Sequence, residues 1–137
     1  MNLLIDTSIW SEALRRKNKS VNSEDTLLFK IIRNEEEIFI TGIILQEILT
    51  GIKDQKLFDD INNHLRFFNF VNPTNMDHIH AAKLRNDLAK KGLTVASIDV
   101  LIAQIAISNN LTLATYDSDF VKISANSKLK ILNFKEY

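Results

Sequence analysis

A chain of 137 residues, 45% hydrophobic and 25% charged, is long enough to bury one self-sufficient core, and 17 basic against 17 acidic residues give no global pull toward a polyanion. The lack of cysteine excludes disulfides, thiolate metal sites and cysteine nucleophiles, and fits a reducing compartment. No apolar run approaches the roughly 20 residues of a membrane span, and "MNLLIDTSIW" reaches Asp6 without a basic segment, so the expectation is a cytoplasmic single domain over 1–137 with no signal peptide and no membrane partner.

In chain order, "NLLI" (2–5) reads as a short buried strand bounded by Asp6. "SIWSEALRRK" has helical spacing and ends in the basic run Arg15, Arg16, Lys17, suited to a helix C-terminus. After the polar "NKSVNS", Ser23 is expected to cap a helix through "EDTLLFKIIRN". "EIFIT" (37–41) is the second strand, and "GIILQEILTGI" carries one helical stripe of Ile44, Leu45, Ile48, Leu49 and Ile52. An amphipathic helix over 57–68 leads to a short strand around "FNFVN". Pro73-Thr74 opens a long helix stopped by Gly92, and Ser97 is expected to cap "IDVLIAQIAISNN", apolar nearly all round and therefore buried. "LTLAT" (111–115) and "LKILNF" (129–134) complete the strands. Strands alternating with helices predict an α/β domain with a mainly parallel sheet, whose ligands bind beyond the carboxyl ends of the strands. Asp6 and the 115–119 segment fall there.

Four acidic positions stand out: Asp6, Glu47, Asp99 and Asp117. Taken alone, Asp6 is as good a helix N-cap as a ligand, and Glu47 reads as a solvated flank of its helix. Asp99 is harder to explain structurally, because its helical neighbours Ile102, Ala103 and Ala106 place it on an apolar face. The helix dipole contributes about 0.3–1 kcal/mol there, whereas burying a lone carboxylate costs several kcal/mol. Carboxylates gathered at one sheet end also repel one another. A hard divalent cation, Mg2+ or Mn2+, offsets both costs and can activate water against a phosphodiester. In "TLATYDSDF", Asp117 and Asp119 are open to two uses, as turn formers or as ligands, and Asp119 can cap the helix that follows. Other chemistries are poorly represented. His64, His78 and His80 show no zinc spacing, and no nucleophile elbow, Gly-rich phosphate loop or Walker lysine is present.

"LLIDTSIW", "ILQEILTGI", "ASIDVLIAQIAI" and "LATYDSDF", in this order and spacing, resemble the PIN-domain ribonucleases, most of all the VapC-type toxins of bacterial toxin–antitoxin pairs. The resemblance covers essentially the whole chain. It implies a three-layer α/β/α fold with about five mainly parallel strands and helices on both faces. It further implies an endoribonuclease that hydrolyses single-stranded RNA with Mg2+ or Mn2+, is dimeric, and is held inactive by a cognate antitoxin. Carried over residue by residue, Asp6, Glu47, Asp99 and Asp117 resemble the catalytic acids, with Asp6, Asp99 and Asp117 as metal ligands. Asp119 resembles an accessory acid, and Thr7, Ser8 and Thr115 match hydroxyl positions near the site. The interval between Thr115 and the closing Asp-Phe is shorter here than in some relatives, which leaves the division between Asp117 and Asp119 open.

Arg15, Arg16 and Lys17 are the candidate RNA contacts, with Lys83, Arg85, Lys90 and Lys91 as a second basic group. An ordinary solvated helix surface explains either group as well. Trp10 and Phe120 read as core aromatics. Three alternatives compete. A toprim-like nuclease would use Asp117-Ser118-Asp119 but wants a glutamate where Asp6 stands. A non-toxin PIN nuclease is the second. A catalytically inert PIN scaffold is the third, though it has no use for all four acids.

Overall fold

The computed structural model describes residues 1–16 and 26–137. Five strands, β1 (Asn2–Ile5), β2 (Glu37–Ile40), β3 (Asn69–Phe70), β4 (Thr112–Ala114) and β5 (Lys130–Ile131), pair entirely in parallel in the order β3-β2-β1-β4-β5. The described helices are α1 (Thr7–Arg16), α2 (Leu27–Arg33), α3 (Gly42–Leu49), α4 (Gln55–Leu65), α5 (Asn75–Lys90), α6 (Ser97–Ser108) and α7 (Asp119–Ala125). Helices α1 to α4 pack among themselves and α5 to α7 among themselves. Right-handed crossovers from a sheet that grows outward from β1 in both directions put these two groups on opposite faces, giving three layers.

The inner strands are buried on both faces, and Leu3, Leu4, Ile5 and Leu113 are fully inaccessible, which is why they read as continuous apolar runs rather than alternating ones. Among the described helices α6 is the most enclosed: Val100, Ile102, Ala103, Ile105 and Ala106 are all buried. Its one buried amide, Gln104, is satisfied by Ser108. Among the described residues no helix is long and apolar enough to cross a membrane.

Two helix starts differ from the sequence expectation. Helix α2 begins at Leu27, where the Thr26 side chain accepts the Phe29 N–H; Ser23 lies outside the described residues. Helix α6 takes Ser97 as its first helical residue, with Ala96 at the N-cap and no side-chain cap bond. Asp99 in the first turn supplies the negative charge that the helix start favours.

Helix α5 has both ends written in sequence. Thr74 and Asp77 form a reciprocal capping box. At its other end, Gly92 adopts φ +80 while Leu93 and Gly92 donate to the Leu88 and Ala89 carbonyls, a Schellman motif. Nothing lies within 4 Å of a Cβ built on Gly92. A methyl there meets no obstacle and only the backbone resists. Gly92→Ala is therefore expected to lower stability by roughly 1–2 kcal/mol, read as a shift of the urea midpoint at unchanged slope.

Candidate active site

The chain leaves β1 and β4 toward opposite edges of the sheet, so a crevice opens beyond their carboxyl ends. Asp6 follows β1 directly and is 6% exposed. Its backbone carbonyl starts α1 by accepting the N–H groups of Ile9 and Trp10 at 3.1 and 3.3 Å. The carboxylate is not spent on the cap. Oδ2 accepts the Ser8 hydroxyl at 3.0 Å and the Thr115 hydroxyl at 2.7 Å, and among the described residues Oδ1 accepts nothing. Thr115 stands opposite Asp6 because the pairing of Ile5 with Ala114 carries one residue further. The same two hydroxyls grip the next loop: Thr115 Oγ1 accepts the Asp117 N–H and Ser8 Oγ accepts the Tyr116 N–H, both at 3.0 Å.

That loop brings three carboxylates together. One oxygen from each of Asp99, Asp117 and Asp119 lies within 4.8 Å of the others. Asp117 Oδ1 accepts the Asp119 N–H at 2.9 Å, an Asx turn that sets the start of α7. The turn-forming role therefore falls to Asp117. Asp119 becomes the first residue of α7 rather than its cap, and pairs with Lys122 at 3.5 Å.

The charges are felt beyond this trio. Burial, and after it the charges of Asp117, Asp6, Asp119 and Glu47, push Asp99 up to about 6 from 3.8. Glu47, exposed on α3, is also raised, by partial desolvation and then by the charge of Asp6. Five carboxylates thus act on one another, while Lys122 alone among the described side chains makes an ion pair with any of them. All the donors are oxygens, which suits a hard divalent cation and no soft one.

The structure gathers Asp6, Glu47, Asp99, Asp117 and Asp119 around one crevice, but its tightest trio contains Asp119 where the sequence suggested Asp6. Of the hydroxyls, Ser8 and Thr115 hold Asp6, while Thr7 Oγ1 is buried without a partner among the described residues. Thr41 was missed. It is 0% exposed, its Oγ1 is likewise unpartnered, and extending the pairing of Leu4 with Phe39 by two residues sets it level with Asp6. A signal existed: Asp6, Thr41 and Thr115 are each the first polar residue after a buried strand. The side chains of Arg15 and Arg16, and all of Lys17, lie outside the described residues. In the second basic group, Arg85 is tied to the Val95 carbonyl and Lys91 to Asn126, consistent with a structural surface. Trp10 and Phe120 are core residues at 3% and 1% exposure, and the three histidines are exposed.

Residues 3–126 match the family model described as PIN domain. The chain is 30% identical to Ribonuclease VapC1 of Rickettsia felis, with 96% of this chain and 97% of that protein aligned. Among solved structures it is similar to VapBC2 from Rickettsia felis bound to a DNA fragment from their promoter (TM-score 0.76, 24% identity, 97% of this chain and 98% of that one). It is also similar to VapBC-5 from Mycobacterium tuberculosis, a member of the VapBC family of toxin-antitoxin systems (TM-score 0.67, 17% identity, 96% and 98%).

Proposed function

From the premise that this chain belongs to the PIN-domain family, we propose that it is a metal-dependent endoribonuclease that hydrolyses single-stranded RNA, and the toxin of a toxin–antitoxin pair. The observation that carries the reading is Asp99, raised to about 6 inside a ring of four other carboxylates at the sheet's switch point. A protein that only needed a stable fold would gain from losing that repulsion.

Asp99, Asp117 and Asp119 would hold Mg2+ or Mn2+, with Asp6 completing the set from β1. The ion, when bound, supplies an activated water and neutralises charge on the phosphodiester. The chain's own contribution is orientation. Ser8 and Thr115 fix the Asp6 carboxylate through Oδ2, while among the described residues Oδ1 accepts no hydrogen bond. The Asx turn of Asp117 sets the angle between β4 and α7, and with it the position of Asp119. Glu47, whose carboxyl is raised by partial desolvation and then by the charge of Asp6, would act as the base for the attacking water.

Incubating the protein with mixed cellular RNA and either Mg2+, Mn2+ or EDTA tests this reading. New RNA ends are expected with the metals and none with EDTA. RNA left intact under all three conditions would favour an inert scaffold.

Two surfaces fit the expected partners. An apolar groove of about 930 Å³ runs between α1, α2, α3 and α4, with Phe29, Ile32, Leu57 and Phe67 among its lining, and it suits an apolar segment of an antitoxin. Met76 and Ile79 stand exposed at i, i+3 on α5, a patch for a second copy of this chain. Ile79→Asp is expected to shift the sedimentation coefficient from that of a dimer to that of a monomer.

A further inference from the structure

Two exposed aromatic rings adjoin the acidic crevice and play no part in the chemistry above. Tyr116 lies in the loop between Thr115 and Asp117. Phe134 follows β5, the parallel neighbour of β4, so both rings emerge at the carboxyl edge of the sheet. Their centroids are 5.1 Å apart with planes inclined by 57°, and they remain 45% and 37% exposed.

The Tyr116 ring is held in this position rather than left to turn. Its backbone N–H is bound to Ser8 Oγ at 3.0 Å, and its hydroxyl donates to Glu12 Oε1 at 3.1 Å. That same oxygen accepts the Leu27 N–H at 3.3 Å, which ties the ring's rim to the start of α2. The result is an aromatic surface fixed through α1 and still presented to solvent, one residue from a candidate metal ligand.

An acidic crevice has difficulty attracting RNA, because each approaching phosphate is repelled until a cation intervenes. Stacking on an aromatic ring carries no such cost, since a nucleobase offers an uncharged π-face. Stacking also requires a base that is not already sandwiched within a duplex. Granting the ribonuclease reading above, we propose that Tyr116 and Phe134 form a stacking platform for the nucleobase next to the scissile phosphodiester. The platform supplies RNA affinity on a face whose charge opposes it, and it selects unpaired nucleotides. The ring does the work, and the bond to Glu12 only orients it.

The test is steady-state cleavage of a single-stranded RNA oligonucleotide with Mg2+ by the wild type, Tyr116→Ala, Phe134→Ala and Tyr116→Phe. The Mg2+-induced rise in melting temperature is recorded for each as a readout of the acidic loop. Removing the Tyr116 ring is expected to raise KM about 5- to 150-fold, the range for losing one base–aromatic stack. Phe134→Ala should raise it less, Tyr116→Phe should stay near wild type, and the Mg2+-induced rise should be the same in all four. An unchanged KM in Tyr116→Ala overturns the platform while leaving the nuclease reading intact. So does a Tyr116→Phe defect as large as that of Tyr116→Ala, or a lost Mg2+ response, since either makes the residue structural. If Tyr116→Ala spares RNA cleavage but weakens binding of a co-expressed antitoxin, the rings belong to a protein interface instead. Absence of cleavage by the wild type would remove the nuclease reading and the platform together.

Discussion

Asp99→Asn is expected to abolish RNA cleavage while making the metal-free protein more stable. The substitution keeps the shape of the side chain and removes the charge at the centre of the repulsion. Activity should fall by more than about 100-fold, the upper end of what losing a mere outer partner of a metal ligand costs. The stability effect depends on pH in a direction that can be worked out. In the unfolded chain Asp99 titrates near 3.8, whereas the fold raises it to about 6. Between these values the folded state takes up a proton that the unfolded chain does not. The penalty is therefore fully present above pH 6 and is relieved as the pH falls toward 4. Glu47, also raised, works in the same direction. Two groups oppose it: Glu36, held low by the N-terminal amine, and Asp77, where burial is outweighed by hydrogen bonds from Ser108 and Thr74. Their contributions are lost only as the pH drops below their ordinary 4.5 and 3.8. Melting temperatures recorded in EDTA should rise from pH 7.5 to 5.5 in the wild type, and Asp99→Asn should flatten that slope. Adding Mg2+ at pH 7.5 should stabilise the wild type and leave the variant unmoved. A variant that cleaves RNA at the wild-type rate would end the assignment of Asp99.

Phe120→Ala is expected to have the largest effect on stability. Phe120 is 1% exposed and directly follows Asp119, so its ring anchors the first turn of α7 in the core. Emptying such a site costs about 3–5 kcal/mol, against total stabilities of roughly 5–15 kcal/mol for domains of this kind. The urea midpoint should fall accordingly. The exposed neighbour supplies the control: Val121→Ala, at 59% exposure, should change stability by no more than about 0.5 kcal/mol. Cleavage by the Phe120 variant should fall even where the protein remains folded, because the turn that carries Asp119 loses its anchor.

Much of this architecture was legible in the sequence because buried parallel strands and an all-apolar helix leave continuous runs that need no tertiary information to recognise. The helix α5 shows how far local chemistry reaches: Thr74, Asp77 and Gly92 mark both of its ends. The missed helix starts at Thr26 and Ala96 have the opposite cause. Several capping residues stand in a row before α2, and before α6 the acid in the first turn makes a side-chain cap dispensable. The candidate site was legible as a set of acids but not as a geometry. Whether Asp117 or Asp119 forms the turn is decided by a single hydrogen bond, from the Asp119 N–H to Asp117 Oδ1. Thr41 stayed hidden because a lone threonine after a strand is unremarkable until the pairing of β1 with β2 sets it level with Asp6.

The bond from Thr115 to Asp6 spans 109 positions of chain, and that separation has a consequence for biosynthesis. The acids of the crevice are spread along the chain from Asp6 to Asp119, and no fragment that lacks either of these two contains the set. A chain emerging from the ribosome carries an incomplete constellation until β4 inserts beside β1. The constellation is then completed in one step, as closure of the sheet sets Thr115 and the loop after it against Asp6.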